Sequence, residues 1–201
     1  MNDQPGHSQD IVRQDNVERI LDAAERLFLH YGYSKTNVAD IARDLSMSPA
    51  NIYRFFSSKA EIHQAIARRM LLQQYAILAA NARSTASASD RLTNHLLLEH
   101  RITVETMMDE EKVHEMVIVA MDQQWKVIQE HIARVRDLVR SMIDEGIAAG
   151  EFRAQDSHLS ADCFMQSATS LCHPQIVSKK LTEDEIARPE DLAAFILRAL
   201  K

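Results

Sequence analysis

The segment Pro49-Ala50-Asn51-Ile52-Tyr53-Arg54-Phe55-Phe56-Ser57-Ser58-Lys59 carries the residue types best suited to chemistry with a partner. Ile52, Phe55 and Phe56 recur at helical steps and form one inward face. Pro49, Ala50, Asn51, Tyr53 and Arg54 are left for solvent, and together they suit the edges and backbone of a nucleic acid. Arg can grip O6 and N7 of guanine, Asn can pair with adenine, Ala can touch a thymine methyl, and the Tyr hydroxyl can reach a phosphate. Ser58 and Lys59 stand where the next helix begins, so free N–H groups, the helix dipole and an ammonium converge on one anion position. Thr36 and Asn37 offer the same arrangement at the start of the preceding helix.

A second set lies further along. His95 and Glu99 are four apart and share a helix face, with His100 beside them, and His114 or His131 could join as metal ligands. No third ligand follows at a fixed spacing, so no metal is expected. No cofactor is expected either, because the chain has no Gly-rich phosphate loop, paired metal-binding cysteines or nucleophile–base arrangement. The His95/Glu99/His100 cluster keeps an all-α metal or small-molecule enzyme as the alternative function, beside a dimeric adaptor that binds protein alone. Cys163 and Cys172 are nine apart on one expected helix, too far to bridge directly, and read as small buried apolar residues.

These residues need elements to hold them, and composition restricts which. With 4 Gly and 4 Pro among 201 residues, the chain cannot punctuate the turns of a β-sandwich or barrel. Long helices with short joints remain. Two Cys exclude a disulfide framework, and no apolar run of membrane-spanning length or leader-like start is visible, which predicts a cytoplasmic protein with no membrane partner. The net charge of −6 argues against nucleic acid until it is divided along the chain. Residues 1–61 hold 7 basic and 9 acidic side chains, 62–89 hold 3 and none, and 90–201 hold 13 and 20, so most of the acidity is C-terminal.

Residues 1–10 are polar and aperiodic and read as a flexible arm, followed by one domain over 11–60 and a second over 61–201. Val17, Ile20, Leu21, Ala24, Leu27, Phe28 and Tyr31 form the stripe of a first helix, ended by Gly32. Val38, Ile41, Ala42 and Leu45 mark a second short helix, with Thr36 or Asn37 as N-cap. Ser48 caps a third, with Pro49 at its first position. Ser46 falls where the turn between them needs a left-handed residue, at about 1 kcal/mol for a non-glycine. Ser58 and Glu61 form a capping box for a fourth helix running to about Arg83. Further helices are expected at Asp90–Met107, Asp109–Ala120, Asp122–Ala149, Ser157–His173 and Pro189–Leu200. Two short helices joined by a tight turn, with small Ala42 at their closest approach, have the geometry of a helix-turn-helix.

The run Gly32 to Lys59 resembles the DNA-binding signature of the TetR family of bacterial transcriptional regulators. The likeness rests on aromatic-Gly-aromatic after helix 1, Ile-Ala in helix 2, Ile-Tyr-Arg-Phe-Phe in helix 3, and Ser-Lys after it. It departs at Asn37, at Ser46 and at Ala60-Glu61. The resemblance implies an all-α fold: an N-terminal three-helix helix-turn-helix domain, then a larger helical ligand-binding and dimerisation domain. It further implies a homodimer on a pseudo-palindromic double-stranded DNA operator, acting as a repressor released by a small-molecule effector. DNA contacts would come from Thr36, Asn37, Pro49, Ala50, Asn51, Tyr53, Arg54, Ser58 and Lys59. The dimer face would use Leu159, Cys163, Phe164, Ser167 and Leu171 with Leu192, Phe195 and Ile196, from the last two long helices. Met70, Tyr75, Met107, Met116, Met121, Trp125 and Phe164 offer adaptable apolar surface for the effector. Gly150 to Arg153 resembles a common junction of the family.

Overall fold

The computed structural model of the chain describes residues 5–108, 116–120, 126–180 and 187–201. Among these, every regular element is helical: α1 (Pro5–Tyr31), α2 (Val38–Asp44), α3 (Pro49–Tyr53), α4 (Lys59–Ala82), α5 (Ala88–Met108), a helical segment at 116–120 (α6), α7 (Lys126–Ala148), α8 (Ser157–Ser167), α9 (Thr169–Cys172), α10 (Pro174–Lys180) and α11 (Pro189–Arg198). One buried cluster joins α1 to α4 through Ile20, Phe28, Ile41, Ile52, Ile62 and Ile66. A second joins α5, α7, α8 and α11 through Leu92, Leu96, Val139, Ile143, Phe164 and Leu197. α4 is long enough to serve both.

Three expectations change. α1 starts at Pro5, so six of the ten residues expected as a flexible arm are helical; Pro tolerates the first helical position because its missing N–H would be unpaired there anyway. The helix expected over Ser157–His173 breaks at Ala168 and ends at Cys172, and Pro174 then opens α10. Ala168, the one residue in the first break, is neither Gly nor Pro. Cys163 is exposed and Cys172 half-buried, which corrects the reading of both as buried. The expected helix Asp109–Ala120 is described only over 116–120.

The Gly150–Arg153 junction explains how the C-terminal half closes. Gly150 takes φ +74 after α7, a conformation that suits glycine. The Glu151 carboxylate accepts from the Ala88 and Ser89 N–H groups at 2.9 and 3.0 Å, satisfying the start of α5. Those bonds hold its carboxyl below the usual range. Phe152 is buried against Gly146, where an added Cβ would come within 2.3 Å of the ring. Arg153 donates from its backbone to Leu200 O and from its guanidinium to Ala199 O, holding the end of α11.

Candidate nucleic-acid interface

The local structure of residues 32–61 follows from capping. Gly32 takes φ 92 and its N–H bonds Phe28 O at 2.9 Å, ending α1. Asn37 caps α2 in a reciprocal box with Asp40, each bond 3.0 Å. At the other end, Met47 N–H reaches Ala42 O at 2.8 Å and Ser46 N–H reaches Arg43 O at 3.1 Å, the paired bonds of a Schellman motif. That motif needs a left-handed residue, and Ser46 supplies it at φ 55. Ser48 then caps α3, accepting from Asn51 N–H at 3.2 Å. α3 is only five residues long, and Arg54 is its C-cap.

Ile52 is fully buried beneath this helix. Pro49, Ala50, Tyr53 and Arg54 are exposed, as the spacing predicted, whereas Asn51, expected to face solvent with them, is half-buried. Tyr53 and Arg54 make no side-chain hydrogen bond or ion pair among the described residues. Five acidic side chains of this end of the molecule are engaged in ion pairs away from α3. Glu18, Asp22 and Glu25 on α1 all pair with Arg69 of α4, Asp44 pairs with Arg26, and Asp40 with Arg43. α3 itself carries no acid, so the block's negative formal charge does not lie on that helix.

Two expected contacts are placed differently. Thr36 is buried, and its hydroxyl donates to Gly32 O at 2.9 Å and Leu27 O at 3.3 Å, so it closes the end of α1 and presents no oxygen to a partner. Lys59 donates to Tyr33 O at 2.9 Å and Thr36 O at 3.0 Å, with its ammonium 4.2 Å from the Tyr33 ring centroid. It ties α4 to the α1–α2 connection, and one N–H of its three remains for a phosphate. Ser58 caps α4 by accepting from Glu61 N–H at 3.1 Å. The Glu61 carboxylate bonds Ser57 N–H and hydroxyl at 2.6 and 2.7 Å in place of the Ser58 N–H, and these bonds lower its pKa.

Comparison with known proteins decides the family. Residues 20–66 match the family described as bacterial regulatory proteins, tetR family, and residues 88–193 match the tetracyclin repressor-like C-terminal domain. The chain belongs to the TetR family. An uncharacterized HTH-type transcriptional regulator of Bacillus subtilis, YhgD, is 24% identical over 153 residues, 73% of this chain and 77% of that protein. The fold matches a TetR/AcrR regulator of Thermobifida fusca at TM-score 0.63 and 20% identity, covering 92% of this chain and 96% of the other. It also matches FadR of Bacillus subtilis, solved in complex with stearoyl-CoA, at TM-score 0.55 and 19% identity, covering 91% and 96%.

As a TetR-family protein, the chain has a regulatory half that departs from the expected groupings. Met116 is buried in the N-terminal cluster and Met70 packs against it, so both belong to the core under the helix-turn-helix. Tyr75 is half-buried with the Arg134 guanidinium 5.3 Å from its ring centroid, and Phe164 lies in the C-terminal core. The Met107 side chain, Met121 and Trp125 lie outside the described residues. The expected dimer face divides in two. Leu159, Cys163, Ser167 and Phe195 face solvent, with Leu192 at their edge, whereas Phe164, Leu171 and Ile196 turn into the core.

The His95/Glu99/His100 set does not assemble. His95 Nε2 lies 3.8 Å from Glu99 Oε2, but His100 Nδ1–H donates to Leu171 O at 3.0 Å. Among the described residues no three His, Cys, Asp or Glu side chains are placed to hold a metal ion. Sequence spacing missed what this pair shares, which is near-complete burial: His95 is 0% exposed and Glu99 5%. Burial pushes the imidazole down to about 4 and the carboxyl up to about 7.

Proposed function

We propose that this TetR-family regulator is a homodimeric, ligand-responsive repressor that binds a pseudo-palindromic operator through α3 and is released by a small molecule held in the regulatory half. The observation that carries the DNA reading is the outer face of α3, where Tyr53 and Arg54 are exposed and without internal side-chain partners, on a helix-turn-helix capped at every end. Asn37, Pro49, Ala50, Asn51 and Ser58 complete the contact, with Lys59 giving one N–H to a phosphate while holding the frame. Binding of a small molecule in the regulatory half is supported by the fold neighbour FadR, solved with stearoyl-CoA.

Dimerisation is supported by the apolar residues left in water. Leu159 is 62% exposed and Phe195 65%, and Cys163 and Ser167 continue the Leu159 face at four-residue steps. Two copies of α8 and α11 brought together would cover them. No described helix is long and apolar enough to cross a membrane, in keeping with a regulator working in the cytoplasm.

The test is binding to duplex DNA from upstream of the protein's own gene, with Arg54→Ala and Asn51→Ala compared against the unchanged chain. Arg54→Ala should weaken specific binding by about 1–3 kcal/mol and flatten discrimination at one base position. If Arg54→Ala and Asn51→Ala both leave affinity and specificity unchanged, α3 is not the reading element.

A further inference from the structure

Arg69 of α4 gathers three carboxylates of α1. One terminal nitrogen of its guanidinium donates to Glu18 Oε2 at 3.1 Å and Asp22 Oδ1 at 2.7 Å, and the other donates to Glu25 Oε2 at 2.5 Å. The three acids fall at steps of four and three along one stripe of α1, where like charges destabilise a helix unless a cation answers them. Arg69 answers all three. Apolar contact through Ile20, Phe28, Ile62 and Ile66 already fastens α1 to α4, but such packing is non-directional. The guanidinium fork donates only along set directions, so it fixes the rotation and slide of one helix on the other.

The place of Arg69 along α4 gives that constraint a use. Ile66 and Met70 belong with the cluster beneath the helix-turn-helix. Ala67 and Leu71 pack instead against Ala120 and Val127, and Arg68 pairs with Glu130 of α7 at 3.3 Å. Between Ile66 and Leu71, α4 is therefore held by both halves at once, with Arg69 the polar tie to one and Arg68 the polar tie to the other. The two ties are unequal. The Arg69 side chain is 24% exposed and makes three bonds, whereas that of Arg68 is 55% exposed and makes one. A single exposed pair contributes little, and a network on one partly enclosed Arg is the exception.

We propose that Arg69 is a positioning residue for operator recognition: by fixing α1 on α4 it sets how far apart the two copies of α3 stand, and so which half-site spacing is accepted. This rests on the reading of the protein as a homodimer on a pseudo-palindromic operator. α3 is carried on the α1–α4 cluster through Ile52, so a change in the seating of α1 moves α3 with it. Arg69 itself touches no base. One added base pair moves a half-site by about 3.4 Å along the duplex and turns it by about 35°, so a loosened seat is read out as a loosened spacing.

The experiment selects duplexes from a random pool with the full chain and sequences those retained. The unchanged chain should enrich an inverted repeat at one spacing, with affinity falling at least about tenfold when a base pair is added or removed. Arg69→Met should enrich the same half-site at more than one spacing and lose less than about threefold for the same insertion. Arg69→Lys keeps the charge without the fork and should broaden the spacing too. Glu18→Gln with Asp22→Asn leaves Arg69 and its bond to Glu25 in place and should broaden the spacing less. That double variant decides the outcome if Arg69→Met misfolds, and an unbroadened spacing in it then overturns the proposal. An Arg69 that only stabilises the fold predicts lower affinity at every spacing alike with the single spacing kept, which would also overturn it. So would a changed half-site sequence, which places the effect on α3 itself. Failure of the underlying reading looks different: no enriched duplex removes the operator, and an enriched half-site without its repeat removes the dimer.

Discussion

In the helix-turn-helix block the polar side chains without partners point outward, on Tyr53 and Arg54, while Ile52 and Phe56 are buried and Phe55 half-buried on the inner side. In the regulatory half the arrangement is reversed. There the unpartnered polar atoms are buried, on His95 and Glu99, and it is Leu159 and Phe195 that stand in water. A surface that reads a soluble polyanion can keep its polar groups hydrated until the partner arrives. A buried site and an apolar face cannot, so the second half is the one whose stability should respond most to what binds it.

The largest effect expected from breaking this contrast is at the junction of the regulatory half. Phe152→Ala removes a buried ring seated on Gly146 and should cost about 3–5 kcal/mol. Chemical denaturation should show the loss, and DNA affinity at low temperature should fall less than stability does. An equal collapse of both would mean that the two clusters unfold as one unit, with α4 as the link.

Next in size is the exposed apolar face. Leu159→Glu with Phe195→Glu should weaken self-association at least about thirtyfold, read by sedimentation equilibrium, with little change in helix content. A dimer that survives both charges would place the interface elsewhere and leave the exposure of these residues without a role.

How far these features could be read in advance depended on whether the cause was local. Ser46, Ser48, Gly32 and Gly150 occupy positions set by the backbone immediately around them, and each was legible from spacing. Thr36 was not, because its hydroxyl answers carbonyls at the end of α1, up to nine residues away. The break near Ala168 carries no Gly or Pro; it is accompanied by α5 side chains that bond the carbonyls of Leu171 and Cys172, a tertiary cause with no sequence period. Pro174 follows the expected end of a helix at His173 and in fact starts another, since proline suits the first turn of α10. The family signature covered α3, whereas the burial of His95 and Glu99 depends on tertiary packing that no local spacing reports.

Titration sharpens the contrast at smaller scale. With its pKa lowered to about 4 by burial, His95 binds fewer protons folded than unfolded, so it makes stability rise with pH between about 4 and the ordinary imidazole value of 6.5; His131, lowered to about 4 by burial and by Arg134, does the same. Glu99, raised to about 7, binds more protons folded and makes stability fall between 4.5 and about 7. The opposing slopes partly cancel in the unchanged chain. Glu99→Gln should therefore steepen the rise in stability from pH 4.5 to 6.5 and remove the decline toward 7, as measured by denaturation at stepped pH. An unchanged profile would mean that Glu99 is as well solvated folded as unfolded.

The smallest change tests the block that looks complete. Ser46 holds φ 55 so that Met47 N–H can reach Ala42 O, a conformation that a side chain disfavours and glycine does not. Ser46 is exposed and its hydroxyl accepts or donates no hydrogen bond among the described residues, so Ser46→Gly removes strain without removing a contact. Glycine also loosens the unfolded chain, which offsets part of the gain. The balance should be a stabilisation of about 1 kcal/mol or somewhat less, with operator affinity unchanged. Stability that rises while operator affinity falls would show that the strained turn sets the angle at which α3 is presented, and that this block, too, is finished only by its partner.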